Sequence, residues 1–196
     1  MNRHEFFQKL NGVVKQQDDG TKISWAYWLA KSTHRTQLRI NGERYFEHCR
    51  RVALNLVHYG PTDADEIITA LLHDCLEDGF LPQDFIKALF GDFIAKGVEV
   101  LSKYRPRFNG AGIITEKIRI SDDDYYRDIS CAPSWIRRIK LADRLDNIRD
   151  LGVRTPERRQ QYIQETKTYL MPLARITDER FLKALEERCE IHAGKV

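Results

Sequence analysis

The stretch DADEIITALLHDCLEDG, residues 63–79, combines an apolar helical pattern with a group of ionisable side chains at its end. Asp63, followed three residues later by Glu66, resembles a capping box that marks a helix start. Gly79 is typical of a helix end. The apolar residues between them recur at the spacing of one buried helix face, and they are Ile67, Ile68, Leu71 and Leu72. The stretch therefore predicts a core helix that carries polar chemistry at its C-terminal end.

Four ionisable side chains close this stretch, and they are His73, Asp74, Glu77 and Asp78. Helical spacing would place Glu77 one turn beyond His73, and Asp78 would lie one turn beyond Asp74. Burial of so many ionisable groups is costly unless a metal ion offsets the desolvation of the carboxylates. The alternative is a helix end whose charges are solvated, and a His-Asp dipeptide alone does not decide between the two interpretations.

The helical spacing of apolar residues continues along most of the chain, and the long runs lack the alternation of strands. The pattern predicts an all-α fold in a single helical domain of residues 1–196, a length that suffices for one hydrophobic core. We expect Asp18-Asp19-Gly20 to break the first helix and Ser102–Ile114 to form a mobile loop. The predicted helices span about residues 2–17, 23–34, 45–59, 64–79, 82–90, 92–101, 116–130, 133–151 and 178–192, and a further one begins at Thr155-Pro156.

Composition and charge exclude several classes of protein. Hydrophobic residues make up 42% and charged residues 31% of the chain, which are values of a globular rather than a disordered protein. The net charge of +3 is small and the basic residues are scattered among acidic ones, so we expect no nucleic-acid partner. The four cysteines form no CxxC pair, which argues against a thiolate zinc site. Without a long apolar run or a secretory signal, we expect a cytoplasmic protein with no membrane partner.

A second polar segment, KLADRLDNIRD, covers residues 140–150. Asp143 and Asn147 lie one helical turn apart beside an apolar stripe, which favours a position at the border between the core and a cleft. The alternative is a surface helix held by ion pairs, which contribute little to stability. This segment alone does not indicate a site.

A third candidate, His48, lies on the helix predicted over about residues 45–59. A lone histidine on a helix is more often structural than a ligand. The combination with His73, Asp74 and Asp143 changes the interpretation, because it supplies two imidazoles and two carboxylates from separate predicted helices. Such a mixed nitrogen and oxygen set, with open positions for water, suits a divalent ion such as manganese.

Taken together, the motifs resemble those of the HD-domain metal-dependent phosphohydrolases, and among these the hydrolase domain of the RelA/SpoT alarmone enzymes and its stand-alone small forms. The matching pieces occur in the family order over about residues 26–176. They are His34-x-x-Gln37-x-Arg39, Gly42-Glu43-x-Tyr45-x-x-His48, Ala70-Leu71-Leu72-His73-Asp74-x-x-Glu77-Asp78, Phe90-Gly91, Ser102-Lys103, Lys140-Leu141-Ala142-Asp143-Arg144-Leu145-x-Asn147-x-Arg149, and Glu165-Thr166 with Pro172-Leu173-Ala174.

The resemblance implies an all-α fold and a metal-dependent reaction that removes pyrophosphate from the 3′ position of guanosine tetra- or pentaphosphate. It assigns Glu77 and Asp78 to the activation of the attacking water and to proton transfer. The implied ligands of one manganese ion are His48, His73, Asp74 and Asp143. For the nucleotide, the resemblance implies that Arg39 stacks on the guanine, that Asn147 lies near the ribose, and that Lys103 and Arg144 contact phosphate.

Three departures from the family pattern leave alternatives open. Cys49 stands where a proline usually follows the first histidine, Ile40 stands where a basic residue often follows the stacking arginine, and Asp146 replaces a common histidine or tyrosine. One alternative is a phosphohydrolase for another nucleotide, either (p)ppApp or the phosphate of NADPH. The other is a non-catalytic module that binds a nucleotide or a partner. The oligomeric state stays open.

Overall fold

The computed structural model describes residues 2–77, 81–109 and 114–193, which are mainly helical. Its helices are α1 (Arg3–Lys9), α2 (Gln17–Thr33), α3 (Phe46–Tyr59), α4 (Ala64–Leu72), α5 (Gln83–Phe90), α6 (Asp92–Leu101), α7 (Asp122–Cys131), α8 (Ser134–Arg149), α9 (Pro156–Glu165), α10 (Met171–Arg175) and α11 (Glu179–Ala193). A 3-10 turn (Asp150–Val153) follows α8, and a π-helical turn (Thr166–Leu170) joins α9 to α10. Within the described ranges, no helix is both long and apolar enough to cross a bilayer. The predicted all-α class is confirmed.

Helices α3, α4 and α8 form the centre of the fold. Helix α3 packs against both α4 and α8, while α2 and α6 cover α4 and α11 packs on α8. All residues from Glu66 to Leu72 are buried, as are those from Ile139 to Asp146 on α8. Helices that are buried on every side cannot turn their polar residues to water, so those residues must find partners inside the protein.

A β-strand lies inside the segment Ser102–Ile114 that the sequence predicted as a loop after α6, and residues 110–113 of that segment lie outside the described residues. Strand β1 (Tyr104–Phe108) pairs with the antiparallel strand β2 (Ile114–Arg119). Strand β1 alternates apolar residues with arginines, but it is short and contains Pro106. Strand β2 shows no such alternation, and its described side chains are exposed. The helix predicted from about residue 116 begins instead at Asp122, after Ser121 accepts a hydrogen bond from the backbone N–H of Asp124.

The N-terminal helices also differ from the prediction. The sequence predicted one helix over about residues 2–17, ended by Asp18-Asp19-Gly20, but that triplet lies inside the first turns of α2. The Asp19 carboxylate accepts hydrogen bonds of 3.0 Å from the backbone N–H groups of residues 15 and 16. Acidic groups stabilise the positive N-terminal end of a helix dipole, so the acidic pair starts α2 rather than ending α1.

Helix α4 is shorter than the sequence predicted. The prediction placed its end at Gly79, but the helix ends at Leu72 and residues 73–77 form turns. The backbone N–H of Cys75 donates to the carbonyl of Leu72 at 2.9 Å, which is a tighter pattern than that of an α-helix. His73, Asp74 and Glu77 therefore project from a turn rather than from one continuous helical face.

Substitution of Gly97 by alanine tests the close packing of α6. A Cβ at this position would lie 2.5 Å from the Trp135 ring and 3.2 Å from the Thr69 methyl carbon. The ring would have to move, and overpacking costs about 1–3 kcal/mol, so we expect Gly97→Ala to lower the free energy of unfolding measured in urea. Gly152→Ala is the control, because nothing lies within 4 Å of its Cβ. Equal stability of the two variants would contradict this account of α6.

Candidate active site

Four predicted ligands meet where α3, the turn after α4 and α8 come together. One ligand atom from each of His48, His73 and Asp74 lies within 4.8 Å of the other two. The Asp74 carboxylate is 3.0 Å from Nε2 of His73 and 3.6 Å from Nε2 of His48. Asp143 Oδ1 on α8 is 3.3 Å from the same atom of His48 and 3.8 Å from that of His73. The fold thus brings together the whole set that the resemblance implies.

The two imidazoles at this centre have the properties of metal ligands. His48 is 1% exposed and His73 is 2% exposed. Among the described residues, neither Nε2 has a partner in hydrogen-bond geometry, although carboxylate oxygens face both atoms. Buried nitrogen atoms without a partner are costly and rare in proteins. A divalent cation between the imidazoles and the carboxylates would satisfy both nitrogens, so the residues fit a mixed nitrogen and oxygen metal site.

Hydrogen bonds from behind fix the orientation of both imidazoles. Nδ1 of His48 lies 2.7 Å from a carboxylate oxygen of Asp146, which Arg51 also contacts. Nδ1 of His73 lies 2.8 Å from the carbonyl oxygen of Ala70. An acceptor at Nδ1 selects the tautomer that carries its proton there, which leaves Nε2 as a lone-pair donor to the centre.

The two carboxylates at the centre are held in a similar way. The Tyr45 hydroxyl donates to Asp74 at 2.7 Å. Asp143 accepts from Lys140 Nζ at 2.8 Å and from the Asn147 amide at 2.5 Å. Burial tends to raise the pKa of Asp143, but Lys140 and the neighbouring imidazoles outweigh it and hold that pKa far below its usual range. The carboxylate is therefore ionised, as coordination requires.

A cavity of about 230 Å³ opens beside this centre. It contains six of the predicted site residues in its lining, and these are Asp74, Glu77, Lys103, Asp143, Arg144 and Asn147. The remaining described lining residues are Tyr45, Leu101, Tyr125, Lys140, Tyr162 and Glu165. The lining thus combines three cations and three tyrosines with the carboxylates, and cations of this kind can bind a phosphorylated ligand.

Glu77 reaches the cavity from the turn that follows α4. Its carboxylate accepts a hydrogen bond of 2.9 Å from the backbone N–H of Lys103. Lys117 of β2 donates to the carbonyl oxygens of Leu76 and Glu77, at 2.6 and 3.3 Å. The hairpin thus fastens the turn that carries the candidate base. Asp78, the other predicted catalytic residue, lies outside the described residues.

Arg39 lies at the edge of the centre rather than in the cavity lining. Its guanidinium donates to Asp150 at 2.7 Å and to the side-chain oxygen of Asn147 at 2.8 Å. The side chain is 6% exposed, and its Cζ lies 5.9 Å from the centroid of the Tyr45 ring. The guanidinium is therefore fixed beside the residue that the resemblance places near the ribose. Its stacking on a base stays a prediction.

The two predicted phosphate contacts are both paired with Glu165. Arg144 donates to this carboxylate and to the Tyr126 hydroxyl, and its Cζ lies 4.0 Å from the Tyr162 ring centroid. The Lys103 ammonium is 3.9 Å from the same carboxylate. A phosphate group that enters the cavity would compete with Glu165 for both cations. Their role in substrate binding stays a prediction.

Three supporting residues have no role in the sequence prediction, and they are Tyr45, Lys140 and Asp146. Lys140 precedes Asp143 by three residues, so helical spacing offered a signal for that pair. The contacts of Tyr45 and Asp146 carry no such signal, because Asp146 is 98 residues from the histidine that it contacts. Only the packing of α3 against α8 brings that pair together.

Replacement of Asp146 by asparagine tests its role behind His48. Asparagine keeps the size and one oxygen, but it loses the charge that strengthens the hydrogen bond to Nδ1. We expect Asp146→Asn to weaken manganese binding by about 10- to 100-fold, the usual effect of losing such a support. The measurement is a titration of the metal-stripped protein with Mn²⁺, in which electron paramagnetic resonance reports the free and bound ion.

Asp150→Asn provides the matched control for this experiment. Asp150 is a buried carboxylate that contacts Arg39 and Asn41. We expect this variant to bind Mn²⁺ as the unmodified protein does. Equal loss of affinity in both variants would show a general effect of buried charge and would refute the specific role of Asp146.

The pH dependence of stability tests the electrostatics of the metal-free centre. Burial lowers the pKa of His48, but the surrounding carboxylates of Asp143, Asp146 and Asp74 outweigh burial and raise it from 6.5 to about 10. Between these values the folded protein holds a proton that the unfolded chain has lost, so stability falls as pH rises.

We therefore expect the free energy of unfolding in urea, measured with excess EDTA, to be lower at pH 9 than at pH 7. The His48→Gln variant should show a smaller decrease over this interval, since it lacks the titrating imidazole. A stability that increases from pH 7 to pH 9 in the unmodified protein, with no difference in slope for the variant, would contradict the prediction.

The comparisons with known sequences agree with this geometry. A family model described as HD domain matches residues 26–177. The guanosine-3′,5′-bis(diphosphate) 3′-pyrophosphohydrolase of Aquifex aeolicus is 38% identical over 156 residues, which cover 78% of this chain and 21% of the relative. The bifunctional (p)ppGpp synthase/hydrolase SpoT of Escherichia coli is 32% identical over 174 residues, which cover 86% and 24%. The chain thus spans less than a quarter of the length of these curated relatives.

Solved structures show the same likeness. A structure described as a metazoan ortholog of SpoT that hydrolyzes ppGpp has a TM-score of 0.71 and 26% identity, and the match covers 86% of this chain and 94% of that one. The structure of lmo0812 from Listeria monocytogenes, with a TM-score of 0.52 and 21% identity over 76% of this chain and 98% of that one, is similar in fold. The family model covers well over half of the sequence, and the chain belongs to the HD-domain family.

Proposed function

We propose that the protein is a manganese-dependent guanosine-3′,5′-bis(diphosphate) 3′-pyrophosphohydrolase, which converts (p)ppGpp to GDP or GTP and pyrophosphate. The observation that carries the proposal is the pair of buried Nε2 atoms that face Asp74 and Asp143 at the wall of the cavity. The relatives named for this reaction support the choice of substrate, because their similarity extends over more than three quarters of the chain.

The donor set supports the choice of metal. Two neutral imidazoles and two carboxylates suit manganese better than a thiolate-preferring ion. When bound, a divalent cation supplies Lewis acidity that offsets phosphate charge and favours deprotonation of water. His48, His73, Asp74 and Asp143 would hold it.

The remaining steps fall to residues of the cavity. Water adds to the phosphorus attached to the ribose O3′, and the bond between O3′ and that phosphorus breaks to release pyrophosphate. Glu77 accepts the proton of the attacking water, because its carboxylate lines the cavity together with Asp74 and is oriented by the backbone of Lys103. The resemblance assigns Glu77 and Asp78 together to activation of the water and to proton transfer, and the departing O3′ oxygen takes up a proton.

The cations of the cavity wall orient the diphosphate group. Arg144 lies on the Tyr162 ring and presents a planar fork that matches phosphate oxygens, while Lys103 offers a point charge. Asn147 bridges the metal ligand Asp143 and the guanidinium of Arg39. A nucleotide that extends along this line would place its phosphates at Arg144 and its sugar at Asn147.

A second candidate is hydrolysis of another nucleotide by the same centre. Ile40, which is 58% exposed, follows Arg39 where the family often has a basic residue, so a base beside Arg39 would meet an apolar side chain. An apolar side chain forms no hydrogen bond with a base, so Ile40 would not select guanine over another base. The complete ligand set argues against the third candidate, a non-catalytic binding module.

The experiment that tests the function is pyrophosphate release from ppGpp by the metal-stripped protein, with and without added Mn²⁺. Reactions with ppApp and NADPH run in parallel. Turnover of ppGpp that depends on manganese supports the proposal. Turnover of another nucleotide alone would refute the alarmone substrate, and no turnover of any of them would refute the hydrolase.

Two variants separate metal binding from proton transfer. We expect Glu77→Gln to bind Mn²⁺ normally but to lose about 100- to 10,000-fold in kcat, the range for removal of a general base. Asp143→Asn should lose both metal affinity and activity. Metal content by mass spectrometry and steady-state rates are the two measurements.

The control for the glutamate variant is Glu116→Gln, on the exposed surface of the hairpin. It should match the unmodified protein in both measurements. If Glu77→Gln binds no metal, Glu77 belongs among the ligands, and its assignment as the base is wrong.

A further inference from the structure

A second cavity, of about 350 Å³, lies between α1, α2 and the start of α3. The residues that line it differ from those of the cavity at the metal centre. Its basic side chains are Arg3, Lys31, Arg35, Arg44 and Arg50. We call it the basic cavity. Among the described residues that line it, Glu47 supplies the one carboxylate, and that carboxylate pairs with Arg50.

The charge of the basic cavity is not neutralised within the described part of the chain. Arg35 and Arg44 form no ion pair there, and both are exposed at the rim. Arg3 donates to the Ser24 hydroxyl at 2.9 Å, and the Lys31 ammonium lies 4.8 Å from the Trp28 ring centroid, so neither contact removes positive charge. Four cations without an ion pair among the described residues therefore surround one cavity, in a chain whose total net charge is only +3. Such a concentration attracts anions.

Arg50 forms a buried inner wall of the basic cavity, whereas Arg35 and Arg44 are exposed. Arg50 is 3% exposed, and one of its terminal nitrogens donates to the Tyr27 hydroxyl at 3.4 Å. Its Nε has no hydrogen-bond partner among the described residues. The guanidinium also lies 5.4 Å from the ring centroid of Phe46. A buried guanidinium with an unsatisfied donor, beside aromatic side chains, is a preformed element of an anion site.

We propose that the basic cavity binds a small phosphate-bearing anion. Its volume lies within the range of small-molecule sites, and its cations surround a concave surface rather than a flat one. Planar guanidinium groups bind phosphate oxygens through paired hydrogen bonds, and Arg35 and Arg44 are placed to do so from the rim. This inference does not depend on the proposed reaction, because it rests on a cavity whose lining residues are separate from those of the cavity at the metal centre.

One segment of chain separates the basic cavity from the metal centre. Arg44 and Phe46 line the basic cavity, while Tyr45 between them lines the other cavity and donates to the ligand Asp74. His34, in the wall of the basic cavity, stacks on the Tyr45 ring at 4.9 Å. An anion held there would therefore lie one side chain away from a residue that orients a metal ligand.

The test uses inorganic pyrophosphate as the probe and the full chain in excess EDTA, with binding measured by isothermal titration calorimetry. Intrinsic tryptophan fluorescence, to which Trp28 contributes, gives a second readout, because Lys31 lies against the Trp28 ring. We expect the unmodified protein to show a binding event that the Lys103→Ala variant retains, in addition to any binding at the cations of the metal-centre cavity. The double variant Arg35→Ser with Arg44→Ser should bind at least about tenfold more weakly, as expected for the loss of two charged hydrogen-bond donors.

Two control variants make the result specific. Arg158→Ser with Arg188→Ser removes the same charge from exposed positions on α9 and α11, and it should leave affinity unchanged. Lys103→Ala alters the cavity at the metal centre and should also leave it unchanged. Equal weakening in both double variants would show unspecific attraction, and weakening by Lys103→Ala alone would place the anion at the metal centre. Either result, or no binding at all, overturns the proposal.

Discussion

The burial of the Asp143 carboxylate on α8 is the constraint on which the rest of the structure depends. A charge in the core needs partners from every direction, and Lys140, Asn147 and the imidazole of His48 supply them. Lys140 and Asn147 lie on α8 itself, so His48 is the partner that ties Asp143 to α3. The Asn55 side chain adds to that contact by donating to the carbonyl oxygen of Ala142 at 3.1 Å. The residues of the candidate centre are thus also the polar interior of the helix packing.

This double use explains why the buried charges are tolerated. Removal of one partner from a buried ion pair leaves a charge without compensation, which is strongly destabilising. At this centre each carboxylate has at least one neutral or cationic donor, and each imidazole has an acceptor behind it. The Nε2 atoms of His48 and His73 are the exception, because they have no hydrogen-bond partner among the described residues and face the carboxylates of Asp143 and Asp74. A functional centre is where such a local conflict is expected in an otherwise consistent core.

Sequence reasoning predicted the helices with clear apolar periodicity and clear ends. Helix α11 and the start of α9, where Thr155 caps and Pro156 follows, agree closely with the prediction. The motifs also indicated the residues that meet at the centre. The hairpin was missed because the alternation in β1 is short and interrupted by Pro106, and the end of α4 was misplaced because a tight turn replaces the helix at His73. The local pattern contains no signal for that turn.

Contacts distant in sequence were beyond prediction for a different reason. Asp146 was a departure from the family pattern, and its role depends on the packing of two helices that brings it to His48, a residue 98 positions away in sequence. The same holds for the pairing of Glu165 with Arg144 and Lys103, which joins three separate elements. The sequence shows which groups are available, whereas tertiary packing decides which of them meet.

The anchoring of the hairpin on the turn after α4 has a dynamic consequence. Lys117 holds the carbonyl oxygens of Leu76 and Glu77, and the chain at Lys103 holds the Glu77 carboxylate from the other side. Opening of the hairpin away from the helices would release the backbone and the side chain of that residue in one event. Amide hydrogen exchange in β2 and in the turn would then follow a common opening equilibrium. The stability of the surface hairpin, whose described residues include no predicted metal ligand, would thus determine how long the Glu77 side chain stays at the cavity.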